Sequence, residues 1–222
     1  MKEVADGVWQ LGGIPPNAIN VYLVEDVLVD AGTRHAGRRI LRQLKGTDVS
    51  AHAITHAHPD HQGSSKEVCE TLGIPFWAGE GDADAAERPE LIAERQPDHR
   101  VAQFFARAMT GPGRRVDRRL RESDEVAGFA VLETPGHSAG HLSLWRESDR
   151  VLIAGDVLGS QDFLTGIRGM HEPPTYLSVD PVRNRESARR LAALEPALTL
   201  FGHGPPLRDT KKLVDFVNGF PR

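Results

Sequence analysis

His56, His58, Asp60 and His61 fall within six residues, in the run His56-Ala57-His58-Pro59-Asp60-His61. Three imidazoles and a carboxylate at that density make a poor core and a good metal site. Neutral imidazole and carboxylate are ligands for divalent cations, and burying such groups without a partner is costly. The run follows the apolar stretch Ala53-Ile54-Thr55 and precedes a helix expected to begin near Gly63-Ser64. It is therefore placed in a loop at the C-terminal end of a strand, where α/β sheets build their sites.

Three later segments repeat the arrangement of a strand followed by glycine and a polar side chain. Thr134-Pro135-Gly136-His137 follows a strand ending at Glu133, Ala154-Gly155-Asp156 follows Val151-Leu152-Ile153, and Phe201-Gly202-His203-Gly204 follows Ala197 to Leu200. Each glycine lets the backbone turn tightly and brings the next side chain close to a ligand.

The elements that must position these residues can be read in outline. Val8 to Leu11, Ile19 to Val24 and Val27 to Asp30 are strand-like, the last two joined at Glu25-Asp26. Helices are expected from about His35 to Leu44 and from Ser64 to Leu72, ended by Gly73, with Ile74 to Ala78 as the next strand. Residues 79–122 are charged and helical in character. Asp98 is placed as the cap of a helix reaching Met109, whose apolar stripe is Val101, Phe104, Phe105, Ala108 and Met109. This segment reads as an insertion over the site, with the Phe104, Phe105, Met109 stripe as its internal packing and the run Arg114 to Arg121 as a solvated charged face. Strands resume at Val126 to Glu133, Leu142 to Trp145 and Val151 to Ala154, an irregular stretch runs to about Val179, and Asp180-Pro181 opens a helix. The last strand is Ala197 to Phe201 and the last helix Thr210 to Val217.

Composition narrows the function. A net charge of −4 gives no basic field for nucleic acid or anionic membrane. No apolar run approaches a membrane span, no signal peptide is read at the N-terminus, and the lone Cys69 excludes an internal disulfide, so a cytoplasmic location is expected. Arginine-for-lysine usage hints at a bacterial source. Cys69 reads as a small core residue and His35 and His52 as surface residues.

The set H-A-H-P-D-H, P-G-H, G-D and G-H-G resembles the ligand set of the metallo-β-lactamase-fold hydrolase superfamily. Val29-Asp30-Ala31-Gly32 is similar to the family's early D-x-G element, so the resemblance covers nearly the whole chain. It implies an α/β fold, an αββα sandwich, taken as a single domain over 1–222 with the helical insertion near 79–122 as a lid. It also implies two divalent metal ions, zinc expected and iron or manganese as alternatives. Carried over by residue, His56, His58 and His137 fall on the first metal, Asp60, His61 and His203 on the second, and Asp156 bridges them. Three imidazoles with an open position suit catalytic zinc, and a hydroxide shared by two cations is a nucleophile near neutral pH. Asp60 is assigned a second task, proton transfer as the tetrahedral intermediate collapses. Asp30 is expected to orient a ligand histidine from behind. His141 either supports the site in the same way or is a polar strand-edge residue. Arg168, His171 and Tyr176 are candidates for substrate contact, with an ordinary surface loop as the other reading.

The expected activity is hydrolysis of an ester, lactone or thioester of a small molecule, in a glyoxalase II-like or lactonase-like branch with no subfamily assigned. A C-terminal helical domain of the glyoxalase II kind is not expected, since about twenty residues follow His203. Val157-Leu158-Gly159 stand after Asp156, where quorum-signal lactonases often carry a tyrosine. The alternatives are a phosphodiesterase on a small substrate and a mononuclear iron oxygenase of the persulfide dioxygenase type. The oligomeric state is left open.

Overall fold

A computed structural model describes all residues except Gln96, Phe163 and Arg222. The first sheet has seven strands in sequence order: β1 (Lys2–Ala5), β2 (Val8–Gln10), β3 (Tyr22–Val24), β4 (Val27–Val29), β5 (Ala51–Ala53), β6 (Phe76–Gly79) and β7 (Arg118–Leu120). The β1 to β4 pairs are antiparallel and the β4 to β7 pairs parallel. The second sheet contains β8 (Glu125–Val126), β9 (Phe129–Glu133), β10 (Leu142–Arg146) and β11 (Val151–Gly155). A separate hairpin, β12 (Gly159–Gln161) with β13 (Arg168–His171), follows, and β14 (Leu198–Phe201) returns parallel to β11.

The sheets face each other across one apolar layer. Val8, Tyr22, Val24, Val27, Val29 and Ala53 from the first sheet meet Phe129, Val131, Leu144, Val151, Ile153 and Leu200 from the second. Alternate residues of the same strands turn outward and are covered by helices. On the first sheet, α1 (Gly37–Gln43) and the helix over Ser65–Leu72 bury Ile40, Val68 and Cys69 against Leu28 and Phe76; between them lies a single turn, α2 (Pro59–Gln62), which makes the later helix α3. Three helices follow β6: α4 (Ala83–Glu87), α5 (Glu90–Arg95) and α6 (Arg100–Met109). On the second sheet, α7 (Pro181–Ala192) and α8 (Thr210–Asn218) place Ala188, Leu191, Leu213 and Val217 over Leu152 and Phe201. This is the αββα sandwich. Burying both faces of both sheets explains why strands such as Val151-Leu152-Ile153 are apolar without alternation. No helix among the described residues is long and apolar enough to cross a membrane.

Several expectations are corrected. Asp60 and His61 lie on α2, not in a loop. Pro59 takes the first helical position, where its missing N–H costs nothing, after an extended His58. Among the described residues the 79–122 segment is helical over α4, α5 and α6, with a single 3₁₀ turn at Glu80–Asp82, and its charged end forms the edge strand β7. Arg118 sits over the Trp77 ring at 5.1 Å, so the long side chain covers apolar surface while its charge stays wet. The cap of α6 is His99, whose side chain accepts from the Val101 N–H, while Asp98 accepts from Gln103 Nε2. The stretch after Asp156 contains the β12–β13 hairpin and a turn of 3₁₀ helix at Thr175–Leu177.

His52 is not a surface residue. It is fully buried on β5, stacked on Phe76 at 5.3 Å, with Nδ1 donating to Leu28 O and Nε2 accepting from Ser65 Oγ. The α3 helix covers the outer face of β5 and supplies the hydroxyl that satisfies this ring. Cys69 is buried mid-helix, and His35 is exposed.

Candidate metal centre

The seven ligand candidates converge at one edge of the sandwich, from the ends of both sheets. His56 and His58 follow β5, Asp60 and His61 sit on α2, His137 follows β9, Asp156 follows β11 and His203 follows β14. Their donor atoms form three overlapping groups: His56, His58, His137; His56, His61, Asp156; and Asp60, His61, His203. Within each group the atoms lie within 4.8 Å of one another. Asp156 Oδ2 stands between them, 3.6 Å from His137 Nε2, 3.3 Å from His61 Nε2 and 3.0 Å from His203 Nε2.

The local sequence explains how close they come. Gly155 has φ +55° and turns Asp156 off the end of β11; a side chain there would also strike His141 Nε2. Gly202 has no room for a Cβ, which would meet the Asp156 carboxylate and lie 2.7 Å from His61 Cε1. Asn20 and Tyr22 of the first sheet donate to Phe201 O, and Asn20 also to Gly204 O, so the His203 loop is tied across the sandwich.

On four of the histidines the ring nitrogen facing away from the centre has a partner. His56 Nδ1 donates to Thr55 Oγ1, His61 Nδ1 to Asp30 Oδ2 at 2.9 Å, His137 Nδ1 to Ser178 Oγ, and His203 Nδ1 to Ala18 O. Those bonds turn Nε2 of each of these rings inward, where it is the lone-pair atom on a neutral ring. Asp30 holds a positive φ of +62° and also accepts from Thr55 N and Oγ1, so it binds the start of the histidine run to His61. His141 Nε2 accepts from the Asp156 N–H and its Nδ1 donates to Thr134 Oγ1, which fixes the backbone that carries Asp156.

Four inward atoms, His56 Nε2, His61 Nε2, His137 Nε2 and Asp156 Oδ1, are buried with no hydrogen-bond partner among the described residues. Buried polar atoms are normally satisfied, and so many at one point fit a cation. The electrostatics agree. Burial first, then the neighbouring imidazoles, holds His56 and His137 well below the ordinary histidine range, so both are neutral. Burial opposes charge on His203, but Asp156 and Asp60 outweigh it and hold the ring up to about 10. Burial likewise opposes ionisation of Asp60, and His61 and His203 outweigh it, bringing the carboxyl down to about 2. The centre therefore attracts positive charge on its Asp60, Asp156, His203 side and offers neutral nitrogen on the other.

Asp82 is a residue that the sequence pattern does not single out. It is buried at the start of α4, where Oδ2 accepts from Ala57 N at 3.0 Å and Ser138 Oγ at 2.6 Å, and Oδ1 from Gly140 N at 2.7 Å. It thereby joins the His56-Ala57-His58 backbone to the loop after His137. Its sequence signal is weak, one acid among several in Glu80-Gly81-Asp82-Ala83-Asp84.

A cleft with about 690 Å³ of space, counted out to its open mouth, lies over the centre. His58, Asp60, His137, Asp156 and His203 line its floor. Phe105 and Met109 line a wall, so the stripe read as internal packing faces the cleft instead, and Phe104 is exposed. Of the expected substrate contacts, His171 lines the cleft, with Nε2 also bonded to Ile167 O. Arg168 is exposed on β13 and does not line it. Tyr176 stacks on His99 at 4.3 Å instead, tying the 175–177 turn to α6.

The model of the metallo-beta-lactamase superfamily matches residues 14–203. The chain belongs to that superfamily. Members related to it include a probable metallo-hydrolase of Bacillus subtilis, YflN, 29% identical over 92% of this chain and 86% of the relative. A metallo-beta-lactamase family protein of Thermus thermophilus, TTHA1429, superposes with a TM-score of 0.72 at 28% identity, over 97% of this chain and 80% of that one. The crystal structure of TTHA1623 in a di-iron-bound form matches at 31% identity with a TM-score of 0.63, over 86% of this chain and 89% of that one. The chain is thus a member of a metallo-hydrolase superfamily with histidine and aspartate clusters suited to metal.

Proposed function

We propose that this chain is a dinuclear metal-dependent hydrolase acting on an ester, lactone or thioester carbonyl. The observation that carries this reading is the position of Asp156 Oδ2, within 3.6 Å of nitrogens from both histidine groups, so that one carboxylate can serve two ions. In this reading His56, His58 and His137 hold one ion, Asp60, His61 and His203 the other, and Asp156 both. Two divalent ions bound there would supply a hydroxide at neutral pH and polarise the scissile carbonyl.

The protein's own groups do the rest. Asp30, His141 and Asp82 hold the ligand-bearing backbone so that the inward atoms are set before substrate arrives. Asp60 is less enclosed than the histidines, with its side chain 13% exposed to the cleft, and it lies 3.3 Å from His203 Nε2. As a carboxylate it would take the proton of the attacking hydroxyl from the tetrahedral intermediate and pass it to the departing oxygen or sulfur. The α6 wall and the 173–177 segment restrict water above the floor.

We read residues 1–222 as one domain, because both sheets share one core and the centre draws on both. Zinc is the ion we propose. Iron is the second reading, favoured by the di-iron form of TTHA1623. A cytoplasmic location and a small-molecule substrate complete the proposal; the lone buried Cys69 suits a reducing compartment. Metal analysis beside a panel of esters, lactones, thioesters and phosphodiesters tests it. The expected result is carbonyl-ester turnover that is lost, together with bound metal, in His58→Ala and Asp156→Ala. Wild-type turnover in either variant, or activity on phosphodiesters alone, would overturn it.

A further inference from the structure

We propose that the cleft accepts an uncharged, apolar acyl chain and rejects an anionic one, an inference that rests on the hydrolase reading of the same site. Ala102, Phe105, Ala106 and Met109 of α6 form one wall, and Leu158 and Leu177 face them. No lysine or arginine is among the described residues that line the cleft. The charged groups at its mouth are carboxylates. Asp162 is turned onto Thr165 and Leu164 backbone N–H groups, and Glu172 is paired at 2.6 Å with Arg185, which does not itself line the cleft.

Along the α6 wall, away from the metal-binding floor, a substrate carboxylate would lose its water beside these acids with no lysine or arginine to meet it. An alkyl chain would exchange water for the α6 wall. The His99–Tyr176 stack holds that wall to the 175–177 turn, so the apolar slot is preformed rather than assembled on binding. The same argument disfavours substrates whose recognition needs a cationic pocket, such as peptide thioesters with free carboxylates.

The test is calorimetry on the metal-loaded protein with unreactive probes, run beside ester kinetics. The probes are aliphatic amides from butanamide to octanamide, and the octanamide analogue with a terminal carboxylate. Affinity is expected to rise about fourfold per methylene. The carboxylate analogue is expected to bind about tenfold or more weakly than octanamide. Phe105→Ala should flatten the chain-length series, and Met109→Lys should reverse the preference between octanamide and its carboxylate analogue. Equal binding of the two by wild type, or no dependence on chain length, overturns the inference without any variant. The two readings fail separately. If amides bind as expected but no carbonyl ester is turned over, the hydrolase reading falls and the apolar slot stands. If esters are cleaved with no preference for chain length or charge, the slot falls and the hydrolase reading stands.

Discussion

Removing Asp82 should loosen the metal centre without touching a ligand. Its carboxylate accepts three hydrogen bonds in a site only 2% exposed, from Ala57 N, Ser138 Oγ and Gly140 N. A hydrogen bond to a charged group contributes about 1.5–3 kcal/mol. The three share one side chain and are not additive, so Asp82→Ala is expected to cost about 4 kcal/mol, with two backbone N–H groups left buried and unpaired. Asp82→Asn keeps the shape but turns a donor toward one of those N–H groups, and should cost about 2 kcal/mol. That is a large share of a typical total of about 5–15 kcal/mol. Ala57 lies between two proposed ligand histidines and Ser138 follows a third, so metal affinity should fall about 10- to 100-fold as well. Denaturant unfolding of the metal-stripped protein reads the first effect, and competition with a chromophoric chelator the second. If Asp82→Ala unfolds within about 1 kcal/mol of wild type and binds metal as tightly, the carboxylate is not a clamp and the reasoning is wrong.

Gly202→Ala should leave the protein folded yet lower metal affinity at least about tenfold, because the new methyl group meets Asp156 Oδ1 and His61; unchanged affinity in the chelator assay would show that the centre is looser than described. His52 makes stability fall in acid. Burial brings its ring from 6.5 down to about 4, more than its bond to Leu28 O can offset. The folded form is the weaker proton binder, so this contribution is complete above pH 6.5 and is lost as the pH falls toward 4, amounting to about 3 kcal/mol. His52→Gln should unfold with a shallower dependence over that range, and an unchanged slope would contradict the assignment. Asp60→Asn should slow a poor alkoxide leaving group about 100-fold while affecting an acidic phenol much less; equal losses in ester kinetics would remove Asp60 from proton transfer.

The candidate metal centre is largely legible in the sequence because its residues are chemically unusual and locally marked. Histidines and acids after apolar strands, with Gly136, Gly155 and Gly202 beside them, suit neither a packed core nor an ordinary wet surface. What lies outside the reach of sequence is the set of partners that only folding supplies. In Ala51-His52-Ala53 the polar residue alternates with alanine, as on a wet strand face. That face is in fact covered by α3, and Ser65 satisfies the ring. The stripe on α6 shows which side is apolar but not what it faces, and here it faces a cleft over the metal centre. Arg118-Arg119-Leu120 reads as a solvated run because an edge strand wears its charges on the outside. Asp82 is one acid in an acidic stretch, and only the meeting of two loops distinguishes it from Glu80 or Asp84.

The central claim is that two cations share Asp156. Adding metal to the stripped protein while following ester hydrolysis and bound metal together tests it most directly. Activity is expected to saturate only at two ions per chain, and Asp156→Ala is expected neither to hold two nor to turn over. Full activity at one ion per chain, or one iron per chain with oxygen uptake, would contradict it.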